Sequence, residues 1–509
     1  MLHGGRDPAM SGSGEVGRLA RPPRSSSGRR WRRDTRAAER DGAPRLRLLA
    51  VLVVIGVVTW LVLPVPALTA VVPAAGPRPA AQPGLPWLST SDGRMVDEEG
   101  RSVLLHGFDD DALLESTMHP APLDPTDASL MESSGFDVVR LPIAWSLLEP
   151  ERGHFSTTYL DRIASTVSLL NAHHLYVVLD MHFLGWSPAF GGSGAPAWAT
   201  LSWVPDIRVG PMPSLTRLLS PAINASTAYF WLTSDWQTPY LDTWRFVAQR
   251  FRDDSGVAGY DIINEAHAFP LPPLRFDKDD LFPFYARAIT AIGQIDPNHL
   301  FLLENDALGD LPTSVVPISA PDLVYAPHVY TGVLFPPAFD GDAQSLDTHV
   351  DELAKEASQL PAAMWVGEFG INSDAADASE WIADALAAFA DHGSGWAWWQ
   401  WRAAGTWSVR SPDGTSLNTT LLRELAQPYL AAAPSGYVAS GADGVDGRLN
   451  VAVATAHGPA QAEIAWSDHT LGAPRVSDGC GAAWTWDPSS SRLSLTVPAG
   501  VSCQVELSA

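Results

Sequence analysis

Glu265 and Glu368 each sit in an apolar run of the kind that folds as a strand buried on both faces, Val257–Glu265 and Met364–Gly370. Other chemistry-bearing side chains fall in similar runs. Arg140 lies in Val138–Ile143, His182 ends Tyr176–His182, Asn264 precedes Glu265, His328 and Tyr330 end Leu323–Tyr330, and Trp399 lies in Gly395–Trp401. Two facing carboxyls can cleave a glycosidic bond: one protonates the leaving oxygen while the other attacks the anomeric carbon. Retention of configuration requires them roughly 5–5.5 Å apart. In such a pair the carboxyl that acts as an acid at neutral pH needs a raised pKa, whereas the one that attacks has to stay ionised.

The elements that would position these residues form a series. Eight strand candidates follow one another: Val103–Phe108, Val138–Ile143, Tyr176–His182, Val257–Glu265, Leu300–Asn305, Leu323–Tyr330, Met364–Gly370 and Gly395–Trp401. Helical spacing separates several of them. Leu160, Ile163, Val167 and Leu170 repeat after a Ser156/Thr157 start, and Leu241, Trp244, Val247 and Phe251 after Pro239. Eight βα units over residues 87–430 predict an α/β fold, a (β/α)8 TIM barrel whose active site lies at the C-terminal ends of its strands. Residues 435–509 read instead as short alternating strands, a small β-sandwich. Cys480 and Cys503 are the only cysteines, and in an oxidising compartment they would form one disulfide. The stretch 183–236 is too long for a βα loop, and its aromatic residues offer either a small core of their own or a wall for an apolar part of a substrate.

Taken singly, each candidate has a plainer reading. A glutamate at a strand end is commonly a solvated rim residue, His182 and His328 can be satisfied core histidines, Arg140 can pair with a barrel acid, and Trp398, Trp399 and Trp401 can simply pack. Their joint occurrence at successive strand ends favours a site. A metal-dependent barrel hydrolase could draw on His182, His328 and Asp180, but His106-Gly107-Phe108 lacks the His-x-His that such a site would want at strand one. No metal and no cofactor is expected. An inactive carbohydrate-binding barrel is the other rival, disfavoured by the retention of both glutamates with Asn264 and Tyr330.

Charge is divided along the chain. Residues 1–47 hold 12 arginines against 5 acids, a balance of +7, while the net charge is −24, which leaves −31 on the rest. So acidic a body repels nucleic acid, which is excluded as a partner. Residues 48–72 are uncharged and begin almost purely aliphatic. With the basic tail before it, this segment reads as a cleaved signal or an uncleaved membrane anchor, placing the body outside the cytoplasm. Residues 73–86, rich in Pro and Ala, read as a linker. A monomer is expected.

Gly135-Phe136-Asp137-Val138-Val139-Arg140-Leu141-Pro142, Asn264-Glu265 and Gly367-Glu368-Phe369-Gly370 resemble the strand-two, acid/base and nucleophile motifs of glycoside hydrolase family five. The resemblance covers residues 87–430. It implies that Arg140 and Tyr330 orient Glu368, that Asn264 bonds the sugar 2-hydroxyl, that His182 and His328 line the cleaved-sugar subsite, and that Trp399 is its stacking platform. Within the family, Trp145–Pro150, Leu179–His182 and Gly194–Ala199 are similar to the endoglycoceramidase branch, which implies a glycolipid substrate; an endo-β-glucanase or mannanase is the alternative. Three departures bear on the substrate: Phe183-Leu184 replaces the usual Gln-Asp, Ala266 the usual Pro, and Asp109 the usual Asn.

Overall fold

The computed structural model describes residues 66–509 apart from 116–120, 208–219, 307–312, 334–342 and 455–460. Eight parallel strands close into a barrel: β1 (His106–Asp109), β2 (Val138–Ile143), β3 (Tyr176–Met181), β4 (Val257–Asp261), β5 (Leu300–Leu303), β6 (Leu323–Tyr325 and His328–Val329), β7 (Ala363–Phe369) and β8 (Gly395–Trp398). The pairings of β6 with β7 and of β8 with β1 complete the ring. Strand β6 is interrupted where Pro327 has no N–H to give, and the Pro327 carbonyl instead accepts from Gly367.

Around the barrel lie α1 (Pro125–Ser133), α2 (Thr157–Asn171), α3 (Pro221–Leu232), α4 (Ser234–Phe251), α5 (Phe282–Gly293), α6 (Ala343–Gln359) and α7 (Ala378–Asp391). Ser156 caps α2, its side chain accepting from the Tyr159 N–H. Helix α4 starts at Ser234, five residues before the expected Pro239, which sits inside it.

Strand periodicity explains where the polar residues go. Val138, Val178, Leu302, Val324 and Trp365 fill the barrel interior, while Val139, Val177, Leu303 and Val366 meet the helices. Two residues further along the inward face come Arg140, Asp180 and Glu304. Strict alternation would turn Gly367 inward on β7. A register irregularity between Val366 and Phe369 brings Glu368 inward instead.

The bottom of the barrel is closed by residues that precede it. Leu85, Leu88 and Met95 join the interior cluster. Residues 73–86 are therefore not a free linker. Arg78 donates to the Asn298 carbonyl at 3.2 Å, and the Gln82 N–H donates to Ser255 Oγ at 2.8 Å. The end of the expected signal or anchor segment is likewise part of the fold: Leu68–Thr69 pairs with Ile318–Ser319, and the Val71 N–H donates to Thr290 Oγ1. Residues 1–47 and the apolar run up to 65 lie outside the described residues. Among the described residues no helix is long and apolar enough to cross a membrane.

The antiparallel part is larger than its sequence segment. Ser89–Ser91, Arg94–Val96 and Ser102–Val103, expected within the barrel region, form a seven-stranded sheet with Tyr429–Ala433, Gln461–Ala465, Arg492–Thr496 and Ala483–Asp487. A four-stranded sheet stands with it around Leu449, Val451, Ile464, Trp466 and Leu493. Cys480 and Cys503 are disulfide-bonded, with Cα atoms 5.6 Å apart.

Candidate active site

Arg140 is fully buried on β2, and its guanidinium organises the mouth of the barrel. Nη1 donates to Asp109 Oδ1 at 2.9 Å and to Glu368 Oε1 at 2.8 Å. Nε donates to Asp261 Oδ2 at 2.9 Å, and Nη2 to Asn264 Oδ1 and Glu304 Oε1 at 2.9 and 2.8 Å. Asp180 Oδ1 stands 3.3 Å from Nη2. One guanidinium cannot neutralise five carboxylates, and a buried uncompensated charge is expensive. Burial accordingly pushes Asp109 and Asp261 well above the usual carboxylate range, against the pull of Arg140. A protonated Asp109 is neutral and has a donor, which makes it a near stand-in for the asparagine it replaces.

Glu368 is held on both oxygens, since Tyr330 donates to Oε2 at 2.9 Å while Arg140 holds Oε1. Glu265 stands where β4 gives way to a turn, at φ +41°, a left-handed conformation costing about 1–2 kcal/mol for an L-residue. Its side chain stays 38 % exposed against 6 % for Glu368. Oε1 of Glu265 lies 3.2 Å from His328 Nδ1, and the same nitrogen is 3.6 Å from Glu368 Oε2. Carboxylate oxygens of the two glutamates come within 4.8 Å of each other.

The protonation pattern of the open site reverses the expectation from sequence. Burial acts to raise Glu265, but the hydrogen bond and charge of His328 outweigh it and hold Glu265 below its ordinary value. Burial raises Glu368, against His328 and Arg140. On Glu265 the cause is the charge of His328. Burial pushes its imidazole down, yet Glu304, Glu368 and Glu265 together hold it well above the ordinary histidine range, as a cation.

His182 and Trp399 form the opposite wall, with rings stacked at 5.5 Å and 9° between planes. His182 Nδ1 is fixed by Asp180 Oδ2 at 2.8 Å. Trp399 is half-buried, whereas Trp398 and Trp401 are buried, their indole N–H groups donating to the Trp407 carbonyl and Asp127. Asn264 uses Oδ1 on Arg140 and one Nδ2 hydrogen on the Phe183 carbonyl at 3.1 Å. Thus Arg140, His182, Asn264, Glu265, His328, Tyr330, Glu368 and Trp399 all gather in one place. Cys480 and Cys503 stand apart in the antiparallel part. Sequence reasoning passed over Glu304, Asp261 and the role of Asp109. Glu304 had a legible signal, an acid two residues past the interior Leu302 in an apolar strand.

Glu265, His328 and Glu368, and likewise Asp180, Asp261 and Glu304, present ligand atoms close enough to grip a metal ion. Arg140 already bonds Glu368, Asp261 and Glu304, and its charge repels a second cation beside them. Activity is therefore expected to survive exhaustive treatment with EDTA. Loss on chelation, restored by zinc, would assign the first triad to a metal.

The segment after β3 is mostly self-packed. Trp186 meets Phe230 and Trp236 at 5.5 and 6.3 Å, Phe230 meets Tyr240 at 5.6 Å, and Phe183, Phe190 and Trp231 are buried. Leu184, Trp203, Ile207, Leu232 and Phe269 are exposed on the segments that follow β3 and β4, Trp203 to 80 %.

A family model described as cellulase, glycosyl hydrolase family 5, matches residues 96–405. Endoglycoceramidase I of Rhodococcus hoagii is 29 % identical over 262 residues, which are 46 % of this chain and 51 % of the relative. The chain spans about half the length of the curated relatives it matches. Among solved structures, endo-glycoceramidase II from Rhodococcus sp. in a complex titled with ganglioside GM3 superposes with a TM-score of 0.70 at 26 % identity, covering 82 % of this chain and 99 % of that one. A structure titled endogalactoceramidase gives 0.70 at 27 % identity over 83 % and 100 %.

Proposed function

The chain belongs to glycosyl hydrolase family 5, and from that premise we propose that it is a retaining β-glycosidase acting on glycolipids, with Glu265 as acid/base and Glu368 as nucleophile. The observation that carries the reading is the approach of their carboxylate oxygens to within 4.8 Å. That spacing suits direct attack by one carboxylate; an inverting pair stands about 6.5–9.5 Å apart to admit a water between sugar and base.

In the first step Glu368, oriented by Arg140 and Tyr330, attacks the anomeric carbon while Glu265 gives its proton to the departing oxygen. In the second, Glu265 takes a proton from water, and that water releases the sugar from Glu368. The free Nδ2 hydrogen of Asn264 is available to the sugar 2-hydroxyl, and the Trp399 face to the ring. Because Glu265 is the more exposed carboxyl, a bound sugar removes more water from it than from Glu368. Desolvation raises its pKa and so favours the protonated acid that the first step needs.

The glycolipid preference draws on the relatives' names and on the exposed apolar side chains beyond β3 and β4. Phe183-Leu184 adds to it: Phe183 has turned into the core beside Trp186, and Leu184 lies exposed at the rim. The basic tail and apolar run of residues 1–65 support export, with this domain outside the cytoplasm. The full chain should be assayed on glycosphingolipids, β-glucans, mannans and aryl β-glycosides. Trp203→Ser is expected to weaken glycolipid turnover several-fold while sparing aryl glycosides, because it removes only exposed apolar surface. Turnover of β-glucan or mannan with glycosphingolipids untouched would replace the glycolipid reading with a polysaccharide one.

A further inference from the structure

Glu304 follows directly on β5 with both carboxylate oxygens committed, and the conventional pair of glutamates gives it no role. Oε2 accepts from the backbone N–H of Glu265 at 2.6 Å. Oε1 accepts from Arg140 Nη2 at 2.8 Å and lies 3.4 Å from His328 Nε2. Its own backbone is pinned as well, since the Tyr285 hydroxyl donates to the Glu304 carbonyl at 3.0 Å and lies 3.1 Å from the Glu304 N–H. Glu304 itself is 1 % exposed.

We propose that Glu304 is a positioning residue for the acid/base: it clamps the backbone of Glu265 in its left-handed turn and stands as an ion-pair partner, 3.4 Å away, to the imidazole of His328 that faces the Glu265 carboxyl. The proposal rests on the retaining-glycosidase reading. Its geometry is specific, since three separate elements meet on one carboxylate. Strand β4 offers a backbone N–H at the residue that must aim a proton, β6 offers the histidine that touches that residue's side chain, and β2 offers Arg140. Glutamine cannot replace it. An amide has one accepting oxygen and a donating nitrogen, so whichever way it turns it faces one of these donors with another donor.

The titratable and charged groups around this node are Asp109 from β1, Arg140 from β2, Asp180 and His182 from the end of β3, Asp261 and Glu265 from β4 and the turn after it, His328 and Tyr330 from the end of β6, and Glu368 from β7. Among them, Glu304 is the foremost support of the His328 charge. With that support gone, the imidazole protonates less readily and its hold on Glu265 weakens. Glu265 must be protonated to act as acid, so activity falls as pH rises through its pKa, and a raised pKa moves that fall to higher pH.

The test compares Glu304→Gln with the parent on two β-glycosides of one sugar, one with a poor leaving group (an alkyl alcohol) and one with an activated leaving group (dinitrophenol). Expected is a loss in kcat/KM of about 10²-fold on the alkyl glycoside, with less than about threefold on the dinitrophenyl glycoside, since only the former depends on proton donation. The alkaline limb of kcat/KM is expected to move to higher pH. Glu304→Asp keeps the charge but is one methylene short of spanning both contacts. It should show the same dependence on leaving group with the alkaline limb in place. Equal losses on both substrates in either variant, with an unmoved limb, would overturn the proposal. Glu265→Gln serves as the control: if it shows no dependence on leaving group, the underlying glycosidase assignment fails, whatever Glu304 does.

Discussion

Replacing Glu368 with alanine is expected to lower turnover by on the order of 10⁴–10⁶, the scale seen when a covalent nucleophile is removed. The fold should tolerate the change. Arg140 keeps its ion pairs with Asp180 and Glu304, and its hydrogen bonds to Asp109 and Asp261, after Glu368 is gone, so its charge is still compensated. The vacated space lies between Arg140 and Tyr330, both donors, which suits a small anion. Added azide should enter there, attack the anomeric carbon in place of the carboxylate, and leave a glycosyl azide of inverted configuration. Turnover that survives the substitution, or azide with no effect and no azide product, would remove Glu368 from the reaction.

Glu265→Ala is expected to separate substrates by leaving group. General acid assistance supplies roughly 10²–10⁴, so glycosides of poor leaving groups should lose activity on that scale and activated aryl glycosides far less in the first step. The second step also loses its base, so azide should accelerate it and give a glycosyl azide of retained configuration. The pH profile carries a further sign. Glu265 acts protonated, so in the parent enzyme activity is lost as pH rises through its pKa, and the alanine variant should lack that alkaline limb. In the parent, kcat/KM reports the free enzyme, where His328 holds Glu265 low, whereas kcat reports the complex, where the sugar desolvates it. The alkaline limb should therefore stand at higher pH in kcat than in kcat/KM. Coincident limbs would mean that sugar binding does not raise the pKa of Glu265.

Residues with local signatures were legible in the sequence. Val138–Ile143 and Tyr176–Met181 are near-continuous apolar runs of the kind expected for interior parallel strands, and they carry Arg140 and Asp180 where the barrel needs them. What escaped depends on long-range geometry. Ser89–Ser91 and Arg94–Val96 are short and weakly patterned, and only the pairing of the second with Ser102–Val103, and through it with Tyr429–Ala433, more than 300 residues away, makes the two of them part of a larger antiparallel sheet. Residues 73–86 look like a linker because proline and alanine dominate, yet Leu85 is needed to close the barrel floor. The opposite pKa directions of the two glutamates in the open site are hidden from the sequence for a similar reason. Arg140 is visible as a neighbour of Glu368 through the motif, but the placement of His328 between Glu265, Glu304 and Glu368 is a property of three strand ends meeting. Glu304 was overlooked because its importance lies in accepting from another residue's backbone, which no side-chain pattern announces.

The central claim is that Glu368 bonds covalently to the sugar while Glu265 handles the proton. Incubating the full-length enzyme with an activated 2-deoxy-2-fluoro β-glycoside of a sugar it accepts should trap the intermediate, because the fluorine slows its release more than its formation. Proteolysis and mass spectrometry should then find one fluorosugar on the peptide that carries Glu368, with the Glu265 peptide unmodified. A label on Glu265 or any other residue, or hydrolysis to a product of inverted configuration with no covalent species, would contradict the account.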